Sequence, residues 1–369
     1  MQFTSAVLSL LLCFALLVGG CSQPKPVKIG FAGGLTGRLA DLGTGGRDGA
    51  LLASEDINAA GGVNGSRIEL LVRDDKSDVQ TALEVDRELL DAGVVAIVGH
   101  VISSTGLAAA PLMSSRQVPM LSPTVRTSQL TGIDDYFFSL ITPIMPAAEQ
   151  QARFAFRSGI RKMTLIYDLN NRQYGEDWTG SFARSFTRLG GEVAATLTVS
   201  SVKTMDYADI SQKILASGAT GVLLVTGAVD TAMLCQHLRK AGSGMLIFTS
   251  SWPVTPEFIK LAGSYANGVV MSSPFNDQDR TGAFVDFHKR FATRFGYAPN
   301  YAAVHSYEAV RLIAVALTTN PDPKQLKQTI LQKKTFAGLT GPFSFDGFGD
   351  TIRGNFLLTV HDGRFEVIE

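Results

Sequence analysis

Val94-Val95-Ala96-Ile97-Val98-Gly99-His100-Val101-Ile102-Ser103-Ser104-Thr105 is the stretch whose reading decides the fold of this chain. The run from Val94 to Val98 is apolar throughout, with no polar alternation. Such a run reads as a strand buried on both faces, the habit of a parallel sheet covered by helices. Ser103 then opens a helical stretch to Met113, and Val118 to Leu121 reads as the next strand. Upstream, Val27 to Ala32 is a short strand. A Gly-rich loop is expected from Gly33 to Gly46, then a helix from Ala50 to Asn58 that stops at Ala59-Ala60-Gly61-Gly62. Ile68 to Val72 alternates as a strand, and Val79 to Leu90 reads as a helix. This alternation of strand and helix argues for an α/β fold with a parallel sheet.

The same grammar restarts after Pro143 and Pro146. Helices are expected at Ala147 to Arg157, Trp178 to Leu189, Tyr207 to Ala216 and Asp230 to Ala241, with strands at Lys162 to Tyr167, Glu192 to Val199, Gly221 to Thr226 and Met245 to Thr249. Two further helices follow at Gly282 to Phe295 and Ala302 to Leu317. The tail from Gly341 to Ile368 reads as short strands broken by turns at Asp346-Gly347 and Asp362-Gly363.

Composition narrows the function classes. Lys plus Arg and Asp plus Glu are balanced at 33 each, so no nucleic-acid surface or polybasic membrane patch is indicated. Five His and three Cys are scattered without ligand spacing, so no metal site is expected, and no cofactor motif appears. Cys235 stands alone as a small apolar core residue. No Gly-x-Ser-x-Gly, phosphate loop or dinucleotide pattern supports an enzyme. At the N-terminus, Val7 to Val18 is an apolar run of about a dozen residues, short for a membrane span and suited to a signal peptide. Gly19-Gly20-Cys21 behind it resembles the lipobox of bacterial lipoproteins, in which the Cys becomes the lipidated first residue. A plain secretory signal and an N-terminal anchor helix are the other readings.

Five segments in register carry a family resemblance. They are Asp56-Ile57-Asn58-Ala59-Ala60-Gly61-Gly62-Val63-Asn64-Gly65; Asp74-Asp75; Gly99-His100 with Ser103-Ser104-Thr105; Ser122-Pro123 leading to Leu130-Thr131; and Gln173-Tyr174-Gly175-Glu176. Together they resemble the periplasmic binding proteins for branched-chain amino acids, over the whole chain after the leader. The resemblance implies two Rossmann-like α/β lobes with parallel sheets, joined by a three-strand hinge, with ligand in the cleft. Crossings are expected near 140–143, 272–274 and 346–349. The implied organisation is a signal peptide at 1–20, a lipidated tether at 21–26, lobe 1 at 27–141 plus 275–346, and lobe 2 at 142–274 plus 347–369. It also implies a permease of an ATP-driven importer as partner, a monomeric chain, and a periplasmic or cell-surface location held by the Cys21 lipid anchor. A lipoprotein that reports ligand state to a separate sensor is the alternative.

Several residues are candidates for ligand contact. Ser103 and Ser104 open a helix, whose N-terminal N–H groups and positive dipole end suit a carboxylate. An ordinary helix cap would equally account for a serine there. Thr124 and Arg126 lie on the loop after Pro123. By the resemblance, Arg126 stands where amino-acid binders carry Thr. Its guanidinium could hold a carboxylate by two bonds, turn to solvent, or pair with an acid such as Asp230. Tyr174 matches the second-lobe tyrosine that closes over the ligand. Ser251 falls where the family's amino-acid binders carry the Glu that balances the ammonium group, and a neutral Ser cannot do this. Asp230 is either a substitute for that acid or the cap of the helix from Thr231 to Ala241. Trp252 would supply an aromatic wall, and Leu42 replaces a common aromatic. Tyr301 and Tyr307 are expected to be buried in lobe 1. The ligand this implies is a small carboxylate-bearing molecule, an amino acid or related organic acid, and Arg126, Ser251 and Trp252 fit one without a required α-ammonium better.

Overall fold

The computed structural model describes residues 24–201, 204–333 and 335–369. The leader and Cys21 lie outside the described residues. Five parallel strands form the first sheet: β1 (Val27–Gly33), β2 (Ile68–Asp74), β3 (Ala96–Gly99), β4 (Met120–Ser122) and β5 (Phe137–Ser139), in the order β2-β1-β3-β4-β5. Helices α1 (Ala40–Ala59), α2 (Val79–Asp91) and α3 (Ser103–Arg116) connect them. All four residues of β3 are buried, as its unbroken apolar run requires.

The second sheet contains β6 (Lys162–Asp168), β7 (Glu192–Val199), β8 (Gly221–Val225), β9 (Leu246–Thr249) and β10 (Val270–Ser273), with helices α4 (Ile144–Arg157), α5 (Arg172–Arg188), α6 (Tyr207–Ala216), α7 (Ala228–Lys240) and α8 (Pro256–Ala262). The chain then runs through α9 (Gly282–Phe295), α10 (Tyr301–Thr319) and α11 (Leu326–Gln332), and an antiparallel ribbon of β11 (Phe336–Gly338), β12 (Gly341–Phe345) and β13 (Thr351–Ile352). Finally β14 (Phe356–His361) and β15 (Arg364–Val367) return to the second sheet, whose order is β15-β14-β10-β9-β8-β6-β7. Asp362 and Gly363 both take positive φ, 46° and 73°, so the last hairpin turns on two residues in the type I′ manner.

Two sequence expectations need correction. The Gly-rich stretch is not a loop to Gly46, because α1 begins at Ala40 and contains Gly43, Gly45, Gly46 and Gly49. These glycines are there for space. A Cβ on Gly49 would lie 2.1 Å from the Ala303 carbonyl oxygen of α10, and one on Gly45 would lie 2.5 Å from the Asn300 side chain. Helix α10 is buried along every residue from Tyr301 to Val310, and it covers α1. The third crossing also falls later than 346–349. Asp350 bridges to Ser139 of β5 and accepts a 2.6 Å hydrogen bond from the Gly132 amide. Residues up to 352 therefore stay with the first lobe, and the return runs through 353–355, where the Arg353 carbonyl accepts from Thr142 Oγ1 of the first crossing at 3.0 Å.

Beneath α3, His100 is fully buried between two carboxylates, with Nδ1 2.5 Å from Asp75 and Nε2 3.1 Å from Asp86. Burial alone opposes a charged imidazole, but Asp86 and Asp75 outweigh it and push His100 up to about 10. The Ser122 hydroxyl donates to the His100 carbonyl at 2.7 Å, which ties this cluster to the loop after β4.

Two outcomes follow. Gly→Ala inside a helix ordinarily stabilises by about 1 kcal/mol. Gly49→Ala should instead lower stability by roughly 1–3 kcal/mol in chemical denaturation, because the backbone of α10 must retreat. The second concerns pH. A folded-state pKa raised above the unfolded value gives stability that is complete below about pH 6.5 and is lost as pH rises towards 10. Thermal melts should thus fall between pH 7 and 9.5, with a contribution of the order of 4 kcal/mol at stake. His100→Gln should be less stable at pH 6 and lose that slope.

Candidate ligand-binding cleft

Both sheets direct the C-terminal ends of their parallel strands to one cleft, the usual place for ligands in open α/β sheets. On the first lobe, β3 delivers the chain to Ile102, the N-cap residue of α3. Isoleucine cannot cap, so the first N–H groups of α3 receive no side-chain bond from it. The Ser103 hydroxyl is not a cap either: it accepts a 3.1 Å bond from the Arg126 amide and so fastens the loop after β4. The Ser104 amide donates across the cleft to Asn171 Oδ1 at 3.3 Å. Thr124 donates to the Val101 carbonyl at 2.7 Å, and the Ser122 hydroxyl accepts from the Val125 amide at 2.9 Å. Ser103, Thr124 and Ser122 together hold residues 122–126 in one conformation.

That loop presents Arg126, which is only 2% exposed. None of its Nε, Nη1 and Nη2 atoms has a hydrogen-bond partner, and among the described residues no acid pairs with it. Its guanidinium lies 5.9 Å from the Trp178 ring of the second lobe. Burial pulls its pKa down, and the hydroxyls of Tyr174 and Tyr301 oppose that shift.

Aromatic groups surround it. Tyr174 on α5 bonds to Ser251 Oγ at 3.1 Å. Its ring lies 5.5 Å from Trp178 and 6.0 Å, edge to face, from Trp252. Tyr174, Ser251 and Trp252 are all buried, and the Trp252 indole N–H has no partner among the described residues. Tyr301 reaches in from α10 of the first lobe and interacts with Ser251, Tyr174 and Arg126. Burial raises the pKa of both tyrosines, so both remain neutral donors. The pocket thus offers a surplus of donors and one uncompensated positive charge, a combination suited to an anion.

Tyr301 and Trp178 escaped the sequence reading as cleft residues. Tyr301 is the first residue of α10, behind the Asn300 cap whose side chain accepts from the Ala303 amide at 3.0 Å, and a helix start is where a side chain can face a cleft. Tyr307, further along, bonds to Asp56 at 2.7 Å within the first lobe.

Asp230 takes a different place from both sequence readings. Helix α7 begins at Ala228 with Gly227 as N-cap, so Asp230 lies in the first turn and caps nothing. Nor does it meet Arg126. Its Oδ1 pairs with Arg38 of the first lobe and accepts from the Tyr207 hydroxyl at 2.7 Å. Other bonds cross the cleft nearby. Thr255 Oγ1 donates to Asp41 at 2.9 Å, the Ser128 amide and hydroxyl both donate to Asp177 at 2.8 Å, and Gln129 donates to Gln173 at 2.7 Å.

Comparison with known proteins agrees with this architecture. The profile of a family described as periplasmic binding protein matches residues 26–364. The leucine-, isoleucine-, valine-, threonine- and alanine-binding protein of Pseudomonas aeruginosa is 26% identical over 342 residues, 91% of this chain and 89% of its own length. The structure of the branched-chain amino acid transporter substrate-binding protein LivJ of Streptococcus pneumoniae, in complex with isoleucine, is 25% identical. It superposes with a TM-score of 0.86 over 93% of this chain and 99% of that one. A solute-binding protein of R. palustris in complex with benzoate is 18% identical, with a TM-score of 0.85 over 93% and 95% of the two chains.

An unpaired buried cation costs stability that an apolar side chain of similar length does not. Arg126→Met should therefore raise the unfolding free energy of the ligand-free protein by at least about 1 kcal/mol, read by denaturant titration, while abolishing response to carboxylate ligands.

Proposed function

The chain belongs to the periplasmic binding protein family, and on that premise we propose that it delivers a small carboxylate with no required α-ammonium to the permease of an ATP-driven importer. It is a binding protein rather than an enzyme, as its relatives are. The observation that carries the ligand class is Arg126, buried and without an acid. Ser251 supports it, being neutral where an ammonium partner would be needed. Three acids that border the cleft are engaged elsewhere: Asp230 by Arg38, Asp177 by Ser128, and Asp41 by Thr255. A bound carboxylate supplies the missing charge, and the rings of Tyr174, Trp252 and Tyr301 favour a flat or apolar body. Fold alone does not choose the ligand, because similar folds hold isoleucine in one relative and benzoate in another.

In this reading the mechanism is hinge closure. With the lobes apart, Arg126 is hydrated. Closure strips that water, at a cost the cross-cleft bonds offset in the ligand-free protein, and a carboxylate in the cleft favours the closed state further. In the same reading a lipid on Cys21 would hold the protein outside the cytoplasm, with the Pro-rich residues 22–26 as tether. Native mass spectrometry of protein purified from membranes should find a lipid-modified Cys21 and a co-purified organic acid. Calorimetry should then show binding of benzoate-like acids and none of leucine. Tight leucine binding with no response to benzoate overturns the ligand class.

A further inference from the structure

Asp230 is 1% exposed, yet among the described residues of its own lobe its hydrogen-bond partner is a single tyrosine. The cation that balances it comes from the other lobe. Arg38 sits between β1 and α1, directly after Gly37, whose φ of +83° is a turn conformation that side-chain-bearing residues resist. The Cβ position of Gly37 meets no atom within 4 Å, so the glycine is there for its backbone and not for space. That turn aims Arg38 across the mouth of the cleft. Its Nη2 contacts Asp230 Oδ1 and lies 2.6 Å from the Tyr207 hydroxyl.

The surrounding space has the shape of a doorway with a bar across it. Two crevices open on the cleft mouth. One, of about 400 Å³, is lined by Thr36, Lys76 and Tyr207; the other, of about 490 Å³, is lined by Asp41, Thr255 and Asn300. Gly37 and Arg38 line both. Arg38 therefore borders both crevices. Burial and the neighbouring Asp230 push the Tyr207 hydroxyl up to about 12, so it is a neutral donor throughout the physiological range.

We propose that Arg38, Asp230 and Tyr207 form a latch that holds the two lobes closed without touching the ligand. This rests on the hinge closure proposed above and adds a determinant of affinity outside the ligand pocket. Ligand charge is read by Arg126, and the lifetime of the closed state is set by Arg38 and Asp230. When the lobes part, Arg38 leaves with the first lobe and Asp230 keeps only Tyr207. The latch then contributes equally for every ligand, whereas a direct role for Asp230 in holding an ammonium would favour amino acids alone.

Two amides report lobe separation directly, because each donates across the cleft: Ser104 to Asn171 and Ser128 to Asp177. Hydrogen exchange on the full-length protein, without ligand, should be measured for wild type, Arg38→Met, Asp230→Asn and the double variant. Arg38 is 45% exposed in its side chain, so Arg38→Met tests the latch even if Asp230→Asn fails to fold. Each single variant should speed exchange at Ser104 and Ser128 by about tenfold or more, and the double variant no further than either. Unchanged exchange at both amides in Arg38→Met, or acceleration confined to residues 204–240, overturns the latch. Benzoate added to wild type tests the ligand class separately, since the variant comparison needs no ligand.

Discussion

A guanidinium that is almost fully buried and has no hydrogen-bond partner among the described residues is the constraint around which the cleft is arranged. Arg126 could not be held so by a loose loop, since a free side chain would turn to water. Its loop is tied by Ser122, Thr124 and Ser103, each through a hydroxyl bonded to backbone. The second lobe then supplies only neutral partners, the face of Trp178 and the dipoles of Tyr174 and Tyr301. Such groups soften the cost of the charge without cancelling it. The pocket retains an electrostatic debt that a ligand can settle.

The acids around the cleft follow the same logic. Asp230, Asp177 and Asp41 each take a partner from the opposite lobe. Their charges go into joining the lobes at the rim, while the guanidinium of Arg126, with no acid beside it among the described residues, lies at the centre. In the proposed reading, ligand recognition and lobe adhesion use different side chains, and either can change without rewriting the other.

Much of this was legible in the sequence because it rests on local pattern. Apolar runs such as Val94 to Val98 and Gly221 to Val225 mark strands buried on both faces, and Asp362-Gly363 marks its hairpin. What escaped depends on partners distant in the chain. Nothing near Gly43 to Gly49 says that α10 will press on them, so a glycine-rich helix reads as a loop. Asp230 reads as a cap because Arg38 is far from it in sequence. Tyr301 reads as core because its cleft partners, Tyr174 and Ser251, belong to the other lobe. The third crossing shifts for the same reason, through the bridge from Ser139 to Asp350.

The packing of α10 on α1 also sets an order of assembly. The strands of the first sheet are complete by Ser139, yet Gly45 and Gly49 on α1 are covered by Asn300 and Ala303, far later in the chain. A growing chain can make the second lobe's parallel strands, all encoded between Lys162 and Ser273, before the first lobe has its lid. The glycine-lined groove on α1 must then wait in a partly open state. Closing contacts so far apart in sequence is slow, because the loop-closure entropy comes before the reward. A slow-closing first lobe keeps the chain unfolded for longer, which favours passage of an extended polypeptide through a membrane pore before it folds.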